Sequence, residues 1–503
     1  MQGGERIEEM SEQVHLGADH AALLAALCKL DGEIAEAAGR AMVAWAPALQ
    51  RDDFRGSAAN MAAYLALRQA DLRGFQHPLA ALGLSSLGRA EGHVRASLAA
   101  VIAALGRITG GGTGEFPPAE AFKAPGALLD ARRDALFGGA PEGPQTRILV
   151  TLPTEAGAED GMLDRLVAAG ADCVRINTAH DGPEVWAAMI ARTRAAGQAA
   201  GRRVPVSMDL AGPKIRIASV ARVEGVRLKI GERFALAVEA GAAPDLPVAV
   251  LSHAELFAHM PVGQPVWIND GKLRARVVER PSDSAAILVV TGARAKGEKL
   301  KPEKGVNLPG ADLAIPALTE DDRAVLDFVA AHADIVSFSF VQTVEDVQAL
   351  LAELNARCEG RALPAVMLKI ETPLAVRNLP QMIVAAGGQV PVAVMIARGD
   401  LAVEIGFERL SEMQEEILWL CEAAQVPVVW ATQVLDGLLR DGQASRAETT
   451  DAAMGQRAEC VMLNKGEYLA EAVAFLRSVM GRMDRHQDKK FAHLGPLKTW
   501  RLP

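Results

Sequence analysis

The sequence predicts an α/β protein: a (β/α)8 TIM barrel with a small β-barrel lid domain inserted after strand three, and an all-helical N-terminal region. Three observations predict this fold class. Eight short apolar strands alternate with helical segments, the alternation stops between residues 217 and 303, and the first part of the chain has helical periodicity alone. A doubly wound sheet is the alternative, but eight βα units favour a closed barrel.

Residues 1–145 are predicted to be a helical region followed by a linker. Apolar residues recur at three- and four-residue spacing in LLAALCKLDGEIAEAAGRAMVAWAPAL. The stretch TGGGTGEFPP is rich in glycine and proline, which is typical of a boundary. The apolar stripes of these helices indicate packing rather than a ligand site.

The rest of the chain is predicted to form the barrel in two parts, 146–216 and 304–485, followed by a tail, 486–503. Segments such as PVWINDGKLRARVVE alternate in polarity between the two parts, so residues 217–303 are predicted to be the inserted β domain. The eight barrel strands are predicted at 147–152, 172–177, 205–210, 334–340, 365–371, 392–400, 427–433 and 459–465.

Composition excludes several classes of function. A net charge of −9 without a long basic run argues against nucleic-acid partners and a polybasic membrane patch. The sequence has no apolar run of the roughly 18 residues needed for a membrane span, and its N-terminus is unlike a signal peptide. The 5 cysteines are scattered without CxxC spacing, so we expect a reducing, cytoplasmic location.

Polar residues cluster at the predicted carboxyl ends of the barrel strands, where barrel enzymes place their chemistry. We call this end of the barrel the rim. In chain order the candidates are Arg175, Asn177, His180, Asp209, Lys214, Arg216, Ser339, Lys369, Glu371, Arg398, Gly399, Asp400 and Thr432.

The segment VMLKIE is central because Lys369 and Glu371, two residues apart in a strand, share one face. Taken alone, the two residues fit either a buried ion pair or a functional site. The other polar strand ends favour a site. Glu371 and Asp400 supply only oxygen, which suits Mg2+ or Mn2+. Lys369, Arg175 and Arg216 could compensate phosphate and carboxylate charge.

Ten segments, in the same order, resemble the pyruvate kinase family. They are VRINTAH, MDLAGPKIR, INDG, KGVNLPG, SFSFVQTVEDV, LKIE, MIARGDLAVEI, VVWATQVLDGLL, SRAETTDAA and CVMLNKG. The resemblance runs from about Arg147 to Met483. It implies phosphoryl transfer between phosphoenolpyruvate and ADP, giving pyruvate and ATP, with a divalent metal as cofactor.

The resemblance also implies roles for individual residues. Lys369 would stabilise the transferring phosphoryl group and the enolate, with Arg175 on the phosphoryl group. Glu371 and Asp400 would hold the metal. The remaining assignments are Gly399, Asp400 and Ser339 on the substrate, Thr432 near the protonated carbon, Arg175, Asn177, His180 and Arg216 on the nucleotide side, and Asp270 on the inner face of the lid.

Departures from the family pattern lead to further expectations. Of the family's monovalent-cation ligands, Asn177 and Asp209 are retained, but Ala179 and Leu210 replace a serine and a threonine. Lys214 replaces a glutamate, and its ammonium could substitute for potassium, so we predict that potassium is not required.

Other departures concern the nucleotide and regulation. TLPTEA and MLNKGE differ from the family's TIGPAS and MLSGET, which leaves nucleotide preference open. The family's C-terminal regulatory domain has no counterpart, so we expect its sugar-phosphate regulation to be absent. The N-terminal helices are expected to serve as an oligomer contact in a homo-oligomer.

Two other functions are compatible with such a barrel. A metal-dependent aldolase or lyase acting on pyruvate would also use a Glu/Asp metal pair, but the lid, Lys369 and Thr432 argue against it. A non-catalytic regulatory protein on the same scaffold would not be expected to retain Lys369, Glu371, Asp400 and Thr432.

Overall fold

The computed structural model describes residues 19–110, 114–139, 143–251, 253–311, 313, 315–489 and 491–492. These residues form two compact units. The first contains the described residues up to Asp134, with Ile383–Gln389 and Leu418–Pro427; the second contains Ala135–Met382, Val390–Ile417 and the described residues from Val428 onward. Within the described ranges, no helix has the length and apolar character that a membrane crossing requires.

Five helices supply most of the first unit: α1 His20–Trp45, α2 Asp52–Gln69, α3 Arg73–Ala81, α4 Val94–Ile108 and α5 Glu120–Phe137. The carboxylate of Asp19 caps α1 by accepting hydrogen bonds from the backbone N–H groups of Ala21 and Ala22. The apolar faces of α1 and α2 bury side chains such as Leu27 and Met61, as expected for amphipathic helices.

The same unit includes a very close backbone approach. A Cβ atom on Gly388 would lie 2.2 Å from the carbonyl oxygen of Ala48, and one on Gly387 would lie 2.6 Å from the ring of Phe54. The carbonyl of Gly388 accepts hydrogen bonds from the N–H groups of Gln50 and Arg51, at 3.0 and 2.8 Å. Only glycine fits at these two positions without displacing the residues after α1.

The second unit begins with the end of α5 and continues into the first part of the barrel. Its elements are β1 Arg147–Thr151, α6 Met162–Ala169, β2 Cys173–Asn177, α7 Pro183–Ala199 and β3 Val206–Asp209. The insertion follows, with strands β4 Ile217–Ala221, β5 Arg233–Ala237, β6 Val248–Leu251, β7 Pro265–Ile268, β8 Leu273–Ser282, β9 Ala285–Gly292 and β10 Val306–Asn307. These seven strands form one sheet in the order β10-β7-β8-β9-β5-β6-β4, over a core that includes Phe234 and Phe257.

The barrel then resumes. Its later elements are α8 Glu320–His332, β11 Ile335–Phe338, α9 Val344–Cys358, β12 Ala365–Ile370, α10 Pro373–Gly387, β13 Val392–Ala397, α11 Arg398–Ile405, α12 Phe407–Ala423, β14 Val428–Ala431, α13 Asp436–Asp441, α14 Arg446–Gly455, β15 Cys460–Leu463 and α15 Leu469–Met483. A two-stranded pair, β16 Gln487–Asp488 and β17 Phe491–Ala492, follows.

The parallel strands close into a barrel in the order β1-β15-β14-β13-β12-β11-β3-β2. This closed barrel, the second sheet and the helical region confirm the predicted fold class. The N-terminal end of the barrel is filled by apolar side chains that include Phe137, Ala365 and Met367. Since residues two apart in a strand share a face, Lys369 continues this inward-facing row towards the rim.

One predicted strand is too long. The sixth was expected to extend over 392–400, but β13 ends at Ala397 and α11 begins at Arg398. Leu401, Ala402 and Val403 are buried as part of that helix. Gly399 and Asp400 therefore lie in a first helical turn rather than at the end of a strand.

Candidate active site

The ammonium of Lys369 lies at the centre of a buried polar cluster at the rim. Its Nζ donates to Ser339 Oγ at 2.6 Å and lies 3.1 Å from Asp209 Oδ2 and 3.4 Å from Glu371 Oε1. Burial alone would lower the pKa of Lys369, but the charges of Asp209 and Glu371 outweigh it and raise that pKa above its ordinary value. Lys369 is therefore a fixed cation at neutral pH and not a base.

Asp209 is the anion that orders this cluster. Arg175 Nη2 lies 2.6 Å from its Oδ2 atom, on the same oxygen that faces Lys369. Burial would raise the pKa of Asp209, but Arg175 and Lys369 hold it at about 2. Two buried atoms here, Arg175 Nε and Asp209 Oδ1, have no hydrogen-bond partner among the described residues. Such atoms are available to a bound molecule.

Glu371 follows β12 and faces the same cluster. Its Oε2 atom accepts a hydrogen bond from the backbone N–H of Phe340 at 2.6 Å. Burial is the largest cause that raises the pKa of Glu371; the charge of Lys369 opposes the rise, and repulsion from Asp400 adds to it.

Asp400 has a cationic partner on the loop after β3. Lys214 Nζ lies 2.8 and 3.0 Å from its two carboxylate oxygens, and the Lys214 side chain is 28% exposed. Lys214 thus contacts the Asp400 carboxylate, whereas Asp209 faces Arg175 and Lys369.

Thr432 is held from two sides directly after β14. Its Oγ1 atom accepts a hydrogen bond from the N–H of Gly399 at 2.6 Å. Its carbonyl accepts one from Arg398 Nη2 at 2.7 Å, while Arg398 also binds Asp451 and lies over the ring of Trp430. The φ of Thr432 is 66°, an uncommon value for a β-branched residue that the surrounding contacts maintain.

The hydrogen bonds and ion pairs described above do not include the remaining predicted site residues, although Asn177 is the strand partner of Asp209 in the barrel register. Asn177 Oδ1 accepts from the N–H of Ala179 at 3.1 Å, and His180 is exposed in the turn after β2. Arg216 donates to the carbonyl of Glu303 at 2.9 Å. Asp270 is exposed in the turn between β7 and β8 of the insertion.

Two polar contacts near the rim could not be predicted from the sequence. One is the pair between Arg398 and Asp451, and the other is the 2.8 Å hydrogen bond from Asn307 Nδ2 to Glu404 Oε1. Burial raises the pKa of Glu404 to about 7 against the Asn307 hydrogen bond, with a further contribution from Asp400. Glu404 lies four residues after Asp400 on α11, so helical spacing was the available signal.

The donor set at the rim fits a hard divalent cation. Glu371 and Asp400 are mutually repelling carboxylates, and a cation between them would relieve that repulsion. Among the described residues no group of three or more His, Cys, Asp or Glu side chains is placed to hold a metal. A pair of carboxylates leaves coordination positions for water and substrate oxygens, as is usual for Mg2+.

Fold and site together define a barrel enzyme with buried, fixed charges at the carboxyl ends of its strands. Residues 144–473 match the family model described as "Pyruvate kinase, barrel domain". Pyruvate kinase from Methylorubrum extorquens is 34% identical over 68% of this chain and 69% of its own length. One from Agrobacterium vitis is 33% identical over 68% and 69%, and one from Thermotoga maritima is 30% identical over 69% and 71%.

The chain therefore belongs to the pyruvate kinase family. The match confirms the resemblance and the enzyme class that the sequence predicts.

Proposed function

We propose that this enzyme transfers a phosphoryl group between phosphoenolpyruvate and ADP, giving pyruvate and ATP. The observation that carries the proposal is the Lys369 ammonium, fixed by Ser339 and Asp209 beside Glu371. A buried, permanent cation of this kind suits a reaction in which negative charge moves between a phosphoryl group and an enolate.

The substrate carboxylate would bind at the start of α11. The first N–H groups of a helix lack partners within the helix and attract anions. The N–H of Gly399 already donates to Thr432, so the N–H of Asp400 is the donor to which we assign the carboxylate. The Nε atom of Arg175, which has no hydrogen-bond partner among the described residues, would face the phosphoryl group. Ser339 would keep Lys369 in position by accepting a hydrogen bond from its ammonium.

Lys369 would then compensate the charge that develops on the enolate oxygen as the phosphoryl group leaves. Because its pKa is raised, it would keep its proton and would not be the group that protonates the enolate carbon. Thr432 would orient a water molecule near the carbon that becomes protonated. The contacts from Arg398 and Gly399 would keep its hydroxyl in place for this task.

Glu371 and Asp400 would hold Mg2+ or Mn2+, which would neutralise phosphate and carboxylate oxygens when bound. Arg175, Asn177, His180 and Arg216 would line the nucleotide side. Asp270 would lie on the inner face of the insertion, acting as a lid that excludes water.

Potassium would be dispensable in this scheme. Asp209 already faces the cationic groups of Arg175 and Lys369, and Lys214 adds positive charge at Asp400. Together these side chains would supply the charge that a monovalent cation would otherwise contribute.

We also propose, on the basis of the family, that the protein is a cytoplasmic homo-oligomer. Sedimentation would test the oligomeric state.

The test is a coupled assay in which lactate dehydrogenase consumes the pyruvate formed from phosphoenolpyruvate and ADP. We expect metal-dependent turnover that disappears when a chelator removes the divalent cation. Absence of turnover with every nucleoside diphosphate, together with aldol cleavage of a pyruvate-derived substrate, would replace the proposal with a lyase.

A further inference from the structure

The insertion joins the barrel through two passages of the chain that pair with each other. The backbone N–H of Val306 on the second passage donates to the carbonyl of Ile215 on the first, at 3.0 Å. An antiparallel bridge between the two passages lies one residue away. We call the paired residues, 214–217 and 303–307, the stem of the insertion.

Two side chains of the stem contact α11. Lys214 Nζ lies 2.8 Å from Asp400 Oδ1, and Asn307 Nδ2 donates to Glu404 Oε1 at 2.8 Å. Asp400 and Glu404 are four residues apart in the helix, so they lie on the same face, about one turn from each other. Each passage of the stem therefore has a polar contact to the same helix.

The two contacts differ in whether a bound metal would compete with them. Asp400 is one of the two carboxylates to which we assign the divalent metal, so the metal would engage the oxygens that face Lys214. Glu404 lies one turn farther along α11, and its hydrogen bond to Asn307 can persist when the metal is bound. The contact between Asn307 and Glu404 therefore attaches the stem without using a metal ligand.

Apolar packing between the stem and the barrel is incomplete where Glu404 lies. A cavity of about 60 Å3 is lined by Glu404 together with Ile215, Leu308 and Phe340. Side chains that face a cavity lose packing contacts on that side, so the polar contact holds a larger share of the attachment. Burial raises the pKa of Glu404 to about 7, and the hydrogen bond from Asn307 opposes the rise. A carboxyl group accepts this hydrogen bond in either protonation state.

We propose that Glu404 is a positioning residue, which anchors the stem of the insertion on α11 by accepting the hydrogen bond from Asn307. The same helix begins with the turn to which we assign the substrate carboxylate. An anchored stem therefore keeps the insertion in a fixed position relative to that turn, and this role in turnover rests on the proposed function. Loss of the acceptor should loosen the stem and leave the barrel strands β12–β14 paired as they are.

The first test is hydrogen–deuterium exchange of the full-length, metal-free protein, which needs no turnover. Glu404→Leu removes the acceptor, and Glu404→Gln is the matched control, because it is equally uncharged but keeps an acceptor. We expect peptides that cover the stem to exchange about five-fold faster in Glu404→Leu than in Glu404→Gln, the effect of one hydrogen bond. Asn307→Leu should accelerate the same peptides relative to the parent, and peptides from β12–β14 should not change. Unchanged exchange of the stem in either Leu variant would overturn the proposal.

Steady-state kinetics test the positioning role, and this arm alone rests on the proposed function. We expect kcat to be at least about five-fold lower in Glu404→Leu than in Glu404→Gln, because the insertion is displaced from the site. Adding Asn307→Leu to Glu404→Leu should lower kcat no further, since both changes break the same contact. Losses that multiply in the double variant, or equal kcat values for the Leu and Gln variants, would contradict the positioning role. A parent protein without turnover would reject the proposed function, whereas the exchange result would still decide whether Glu404 anchors the stem.

Discussion

The barrel rim and a basic cleft in the insertion each contain several lysine and arginine side chains, but the two regions differ in how many carboxylates pair with them. The cations of this basic cleft are Arg227, Arg294, Lys296, Lys299, Lys301 and Lys304. At the rim Lys369, Arg175 and Lys214 each lie within 3.1 Å of a carboxylate oxygen. In the basic cleft, six cations share one carboxylate among the described lining residues. The rim therefore holds its cations in fixed positions, which is what stabilisation of developing charge requires. In the cleft most of the cations have no carboxylate partner among the lining residues.

The largest effect should come from removing the central rim cation. Lys369→Met replaces the ammonium with an apolar side chain of similar length, and Asp209 keeps Arg175 as its partner. We expect the rate to fall by at least about 10²–10³-fold, the loss typical of one pre-organised charge-stabilising group. Circular dichroism should remain that of the parent. Lys123→Met, at an exposed lysine on α5, is the control and should leave the rate unchanged.

Near-parental turnover in Lys369→Met would make the rim cluster a structural ion-pair network. The contrast with the basic cleft would then disappear.

Much of the rim follows from local sequence patterns. Eight apolar runs mark the eight strands, and the two-residue period of a strand places Lys369 on the inward face above Ala365 and Met367. The start of α11 was harder to predict, because an apolar run followed by Arg398 fits a longer strand equally well.

Contacts between distant residues could not be predicted in the same way. Arg398 and Asp451 are 53 residues apart, and Lys214 and Asp400 are 186 apart. No periodicity links such positions; only closure of the barrel brings them together. Lys214 could be recognised as a departure from the family, but its partner could not.

The pH dependence of stability should report on Glu404, which accepts a hydrogen bond from Asn307 of β10. Its pKa of about 7 in the folded protein exceeds the ordinary value of 4.5, so folding favours its protonated form. As pH rises from about 4.5 through 7, the parent should lose stability relative to Glu404→Gln, by an amount on the order of 3 kcal/mol. Thermal unfolding of both proteins across this range, without divalent metal, measures the difference.

Glu408→Gln, the same substitution at an exposed position, is the control. If the difference in stability between Glu404→Gln and the parent stays constant from pH 4.5 to 7, folding does not raise the pKa of Glu404, and the account of this residue is wrong.

A smaller effect is expected at the Arg398–Asp451 pair. Asp451→Asn removes the charge that orients Arg398, which in turn holds the carbonyl of Thr432. We expect kcat to fall about ten-fold, with KM for phosphoenolpyruvate nearly unchanged, because a group beside the substrate is displaced slightly. Exchange of pyruvate methyl protons with deuterated water should slow more than phosphoryl transfer does.

Asp441→Asn removes an exposed carboxylate paired with Arg440 and is the control for that measurement. Equal slowing of proton exchange and phosphoryl transfer in Asp451→Asn would mean that the pair supports the fold in general and not Thr432 in particular.

Ionic strength should give the smallest effect at the rim and a clear one at the cleft. Exposed charges are screened over about 10 Å at 0.1 M salt, whereas buried pairs are screened much less. Pyrophosphate affinity should therefore fall steadily as tetramethylammonium chloride is added, while kcat at saturating substrates stays nearly constant. If kcat falls with salt as steeply as the affinity for pyrophosphate does, the chemical step depends on exposed charges and not on the buried pairs of the rim.

The central claim is that the rim needs no monovalent cation. Its most direct test is the turnover of phosphoenolpyruvate and ADP with Mg2+ when tetramethylammonium replaces all potassium. With Asp209 already facing Arg175 and Lys369, and Lys214 on Asp400, the rate at saturating substrates should match that in potassium chloride. Strong activation by potassium under those conditions would contradict the account.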